Sequence, residues 1–207
     1  QLPGSVRRGY ALGGVATGSF GTVPGLLLLP YLTDRLGIAA GLAGLVVFLP
    51  KAWDVILNPI AGRISDRSTN PAGRRRPFLL RAGLALAVCF ALLFAGPTSP
   101  TGLGATWVVV LFLACATAYA FFQVPYVAMP AELTDDYDER TRLMSWRVAS
   151  LALAILVSGG LSPMVRDALG PEWGYRGVGV FVGLLIALGA LGAWWGTRAA
   201  PMRDVAA

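Results

Sequence analysis

The sequence has no histidine, a single lysine and two cysteines in 207 residues. Without histidine there is no histidine-dependent triad, no HExxH zinc site and no imidazole proton relay. Cys89 and Cys115 fall inside apolar runs with no metal-ligand spacing, so they read as small core residues and say nothing about redox compartment. Charge is scarce as well: 14% of residues are Asp, Glu, Lys or Arg, against about 25% in a soluble domain. With no nucleophile and base in evidence, an enzyme is not expected, and neither a metal site nor a resident cofactor is.

What the chain does have is apolar length. Hydrophobic residues make up 56% of it and its mean hydropathy is +0.64, which reads as a multi-spanning membrane protein. Windows of about 20 residues, enough to cross a hydrocarbon core of about 30 Å, predict helices near 10–33, 38–62, 78–97, 105–128, 143–165 and 176–196. The expected fold is all-α, a single six-helix bundle over 1–207 with no room for a soluble domain. The first apolar stretch is too long, and lacks the A-x-A site, for a removable signal peptide. The chain starts at Gln1 rather than at a methionine, as a processed, tagged or excised chain would.

Loop arginines predict the orientation. Arg7, Arg8, Arg63, Arg67, Arg74, Arg75, Arg76, Arg140, Arg142, Arg198 and Arg203 fall on one side, against Arg35, Arg166 and Arg176 on the other, so the positive-inside rule places both termini in the cytoplasm. The net charge of +6 is then a matter of topology. Nucleic acid is not an expected partner, because these arginines flank spans and lack interleaved stacking aromatics. The expected setting is the plasma membrane, bacterial inner membrane included, with the lipid bilayer as the first partner.

Three polar faces interrupt the apolar runs. Lys51, Asp54 and Asn58 stand at i, i+3 and i+7 in the second span, which puts them on one helix face at bilayer depth. Ionisable groups there are costly unless they face a cavity or each other. Asp54 could hold Na⁺ with further oxygen ligands, exchange a proton, or simply pair with Lys51. Tyr119, Gln123 and Tyr126 form a second strip that could hydrogen-bond a small solute, although Gln123 could equally join helices. Arg147 in the fifth span could snorkel to the nearby surface or point a planar fork inward. Thr17 in the first span joins the candidate solute side. Near the cytoplasmic ends, Gly62, Asp66, Arg67 and Arg74 form a candidate gate. The acidic run Glu132, Asp135, Asp136, Asp138 and Glu139 is its electrostatic counterpart.

The run Lys51-Ala52-Trp53-Asp54-Val55-Ile56-Leu57-Asn58-Pro59, with Asp66 and Gly73-Arg74-Arg75-Arg76-Pro77, resembles the second helix and following loop of glycoside-pentoside-hexuronide:cation symporters of the melibiose permease type. Tyr31-Leu32-Thr33-Asp34, Gln123-Val124-Pro125-Tyr126, Pro130 and Arg147 extend the likeness over most of the chain. The resemblance implies the N-terminal six-helix half of a major facilitator transporter, built as two inverted three-helix repeats. It would be half of a symporter that moves a sugar-like or other amphipathic solute by alternating access, coupled to Na⁺ or H⁺. The second half would be another chain or another copy of this one. Asp54 then matches the cation-binding aspartate and Arg147 a sugar-site arginine. Asn58 replaces a second cation-site aspartate, Leu57 a frequent asparagine, and Gln123 and Gly18 two sugar-binding acids. A scaffold subunit that transports nothing is the alternative these departures leave open.

Overall fold

The computed structural model describes residues 2–68, 75–198 and 200, and no strand occurs among them. Helix α1 spans Gly4–Val23 and continues through two π-helical turns, Pro24–Leu28 and Tyr31–Arg35. The single α-helix expected over 10–33 therefore changes register. Pro24 and Pro30 have no N–H, so the carbonyls of Phe20 and Leu26 lose their α-helical donors and the ladder widens. Helix α2 is Ala40–Asp66, with Pro50 and Pro59 inside it, and α3 is Arg76–Leu93. The expected span 78–97 stops at Leu93 because the Trp107 indole N–H donates to the Leu92 carbonyl at 2.7 Å and its ring closes over Gly96. Helix α4 is Thr101–Ala128, α5 is the short turn Pro130–Leu133, and α6 is Tyr137–Gly196.

Helix α6 is two spans joined at one residue. Gly170 breaks it with φ 82° and ψ −178°, a conformation essentially reserved for glycine, and Pro171 starts the second arm with its φ already set. The chain reverses so tightly that Gly174 packs on the carbonyl of Arg166. The arms, 137–169 and 171–196, each exceed the roughly 20 residues a crossing takes. The chain thus supplies six crossings.

Numbering these crossings one to six, the principal packing pairs are one with five, one with six, two with four, three with four and three with six. Exchanging one with four, two with five and three with six maps that set onto itself. Because crossings one and four run in opposite directions, the bundle is an inverted repeat of two three-helix units. The closest seam joins α1 to the second arm of α6, where Gly9 meets Gly196 backbone to backbone. Phe90, Phe94, Phe122, Tyr126, Val182 and Ile186 fill the shared core and are fully buried. Within the apolar window of each helix, 61% of α1 is buried but only 17% of α2. Large apolar side chains such as Phe48, Val55 and Ile56 on α2, and Leu153, Leu156 and Met164 on the first arm of α6, face outward, as a bilayer or a second protein body requires.

Candidate functional site

Helix α2 meets the bundle along one narrow edge. Leu57 and Ala61 pack against Ala120, Phe121 and Val124, and the Trp53 indole N–H donates to Thr117 Oγ1 at 3.0 Å, which ties α2 to α4. Leu57 is thus a packing residue. Asp54 sits at the margin of this contact, half-buried, and its Oδ1 is buried without a hydrogen-bond partner. Lys51 and Asn58 lie on its exposed flank. Lys51 is within electrostatic reach of Asp54, but among the described residues the two close no ion pair. Both line a cavity of about 190 Å³ between α1, α2 and α4, whose walls include Phe20, Pro24, Phe112 and Tyr119. The π-helical turn begun by Pro24 opens directly onto this cavity.

The α4 strip divides by role. Tyr126 is fully buried: its hydroxyl donates to the Tyr10 carbonyl, while Tyr10 Oη donates back to the Tyr126 carbonyl at 3.0 Å. Their rings lie 4.6 Å apart, and Gly13 leaves the space that the Tyr126 ring fills. That hydroxyl is committed to joining α1 and α4. Tyr119 leans on Phe20 at 4.8 Å and faces the cavity with Asp54. Gln123, between the two tyrosines, keeps a buried Oε1 without a partner. Arg147 is half-buried with Nε unpartnered, and its charge reaches Tyr10, Tyr119 and Tyr126. Thr17 is buried and spends its hydroxyl on the Gly14 carbonyl at 3.2 Å. Gly18 is closed off altogether: a Cβ there would stand 2.9 Å from Ala154 Cβ and 3.0 Å from the Leu151 carbonyl.

At the end of the bundle that carries both termini, charges are paired. Arg75 bridges Asp66 at 2.6 Å and Glu132 at 2.7 Å. The Asp66 of the expected gate is engaged, with Arg75 as its partner; Arg67 is exposed, the Gly62 carbonyl accepts from Ser65 Oγ at 3.1 Å, and Arg74 lies outside the described residues. Arg7 meets Glu139 at 2.6 Å, joining α1 to α6, and Arg76 donates to the Trp194 carbonyl at 2.6 Å and to Thr197 Oγ1 at 3.2 Å. Sequence reasoning had the acidic run but not which members count. Glu132 and Glu139 are buried while Asp135, Asp136 and Asp138 are exposed, and helical periodicity around Leu133 and Leu143 was the available signal. Tyr10 and Phe20 were also missed, since an aromatic in an apolar helix carries no signature of its own.

The family described as MFS/sugar transport protein matches residues 9–206. The chain belongs to that family. Within it, the "Putative glycoside/cation symporter YagG" of Escherichia coli (strain K12) is 31% identical over 187 residues, covering 89% of this chain and 41% of that protein. The "Uncharacterized symporter sll1374" of Synechocystis sp. is 36% identical over 158 residues, 69% of this chain and 29% of its own length. The "Inner membrane symporter YicJ" of Escherichia coli is 27% identical, over 76% of this chain and 35% of its own. The chain therefore spans less than half the length of these curated relatives. As a member of the MFS/sugar transport family with six bilayer-length crossings, it is a multi-pass integral membrane protein.

Proposed function

We propose that this chain is one six-helix half of a secondary transporter of the inner membrane, which moves a small sugar-like solute together with a cation and is not an enzyme. One observation carries the reading: Asp54 Oδ1, Gln123 Oε1 and Arg147 Nε, on three different crossings, are each buried and without a hydrogen-bond partner. Buried polar atoms are almost always satisfied from within the protein. The Ser19 and Ser162 hydroxyls share that state, and the carboxylate, amide and guanidinium among these five groups are what a solute and a coupling ion would satisfy. The names of YagG and YicJ, both symporters, agree with this reading.

In this scheme Asp54 supplies a single carboxylate oxygen for the coupling ion, with Tyr119 opposite it across the cavity. One carboxylate suits a proton, or a Na⁺ that takes its other oxygens from solute or backbone. Gln123 and Arg147 present an acceptor and donors to the solute. The paired arginines at the termini end, assigned to the cytoplasm, would hold this half rigid while it rocks against a second one. That second half, another chain or a second copy, would cover the outward apolar side chains of α2 and of the first arm of α6.

Uptake by the complete transporter in proteoliposomes tests the reading. Asp54→Asn should abolish the dependence of uptake on Na⁺ or on pH. Uptake that keeps both its rate and its ion dependence in this variant would remove Asp54 from the mechanism.

A further inference from the structure

The cavity beside Asp54 has more room and more aromatic surface than a coupling ion needs. It measures about 190 Å³, and about 150 Å³ is already enough to admit benzene. Three of its walls are rings: Phe20 packs on Tyr119 with centroids 4.8 Å apart and on Phe112 at 6.5 Å, edge to face. Of the side chains that line it, only those of Asp54 and Tyr119 carry oxygen. A hard metal ion seeks about six oxygens. An organic cation needs no such shell, because the electron-rich face of a ring attracts it. The protein's own cations leave these faces free. The arginines that lie over rings use Trp194, Trp195, Trp173 and Tyr175, at the two ends of the bundle. Among the described residues no protein cation lies over Phe20, Phe112 or Tyr119, and Lys51 stays exposed on the flank of α2.

We infer that this cavity is a binding site for a small organic ammonium ion, which takes the Asp54 carboxylate as its counter-charge and the rings of Phe20, Phe112 and Tyr119 as its shell. Asp54 Oδ1 is buried without a partner, so a cation seated there satisfies an atom that is costly to leave bare. An alkylammonium spreads its charge over an apolar body. It therefore gives up less hydration on entry than a bare metal ion, and its methyl or methylene groups match walls such as Pro24 and Phe112. Lys51 lines the same cavity, and its charge works against any incoming cation. The ammonium occupies the place of the coupling ion, so the two exclude each other. That competition rests on the transporter reading above; the binding itself does not.

The test uses two pairs of probes matched in shape but not in charge: tetramethylammonium with tert-butanol, and cyclohexylammonium with cyclohexanol. Each is titrated into the complete transporter in detergent at an ionic strength held with potassium chloride, and binding is read as thermal stabilisation. The charged member should bind about tenfold more tightly or better. Asp54→Asn should erase that preference, and Lys51→Gln should strengthen it about threefold. Tyr119→Leu should weaken it about threefold or more, whereas Tyr119→Phe, which keeps the ring face, should hold the affinity of the parent. In proteoliposomes, tetramethylammonium should raise the ion concentration needed for half-maximal uptake. Equal binding of the two members, no binding of either, a preference that survives Asp54→Asn, or an ion dependence that tetramethylammonium leaves unshifted overturns the inference. Ion-dependent uptake that Asp54→Asn abolishes then leaves the transporter reading standing. A clear preference for the ammonium with no uptake of any sugar supports the site and removes the transporter reading instead.

Discussion

The two ends of the charge distribution in this bundle use the same side chains in opposite ways. At the termini end, Arg7, Arg75 and Arg76 bind Glu139, Asp66, Glu132 and the Trp194 carbonyl, and each joins one helix to another. In the middle, Arg147, Asp54 and Gln123 each keep a buried polar atom that binds nothing. The paired set lowers the energy of the fold, while the unpaired set raises it until something else arrives. On the transporter reading, stability and function are separated along the bundle axis, and substitutions at the two places should differ in which of them is lost.

The largest loss of stability should come from forcing a charge into the helix seam between these regions. Gly18→Asp places a side chain 2.9 Å from Ala154 and buries a carboxylate where α1 touches α6, combining overpacking with an unpaired charge, for a cost of about 4 kcal/mol or more. Size-exclusion chromatography in detergent should show loss of the monodisperse peak. Arg7→Gln should come next. It leaves Glu139, 2% exposed, with only Arg142 at 4.0 Å, and a buried carboxylate stripped of its main partner costs about 3 kcal/mol.

The two carboxylates on Arg75 allow a finer comparison within the paired set. Glu132 is buried at 7% exposure and Asp66 is 58% exposed, so Glu132→Gln should lower the melting temperature clearly, by about 1–2 kcal/mol of stability. Asp66→Asn should cost about 0–1 kcal/mol, the range of a surface ion pair. Equal effects would show that the pair acts as one unit irrespective of burial. Tyr126→Phe removes one hydroxyl from the reciprocal bond with Tyr10 but keeps the ring stack. It should cost about 1 kcal/mol and leave solute preference unchanged.

The sequence carried the fold because six apolar windows are additive signals that survive a misjudged boundary. It marked Asp54, Gln123 and Arg147 as candidates because a polar group inside an apolar helix stands out whatever its neighbours are. It could not tell Tyr126 from Tyr119, since both sit on the same strip of α4, and only the approach of Tyr10 at Gly13 turns one of them into a strut. Nor could it show that Gly18 is closed by α6, or that Gly170 alone divides two crossings. Both depend on contacts between residues far apart in sequence or on a single backbone angle. Arg75 was hidden among three consecutive arginines, of which burial and reach, not identity, select the one that bridges Asp66 to Glu132.

The smallest expected effect on stability is the most informative. Asp54→Asn removes a charge from a half-buried carboxylate whose Oδ1 has no partner, keeps its volume, and leaves Lys51 exposed on the outer flank of α2. No hydrogen bond is lost, only the attraction of the exposed Lys51, and a desolvated charge disappears, so the melting temperature should stay level or rise slightly, by no more than about 1 kcal/mol. Ion-dependent uptake should vanish in the same protein. Arg7→Gln should show the reverse, a clear drop in melting temperature with the ion dependence of the surviving fraction intact. If instead Asp54→Asn destabilises the bundle as much as Arg7→Gln does, Asp54 has a structural partner after all, and the division between a paired end and an unpaired middle no longer holds.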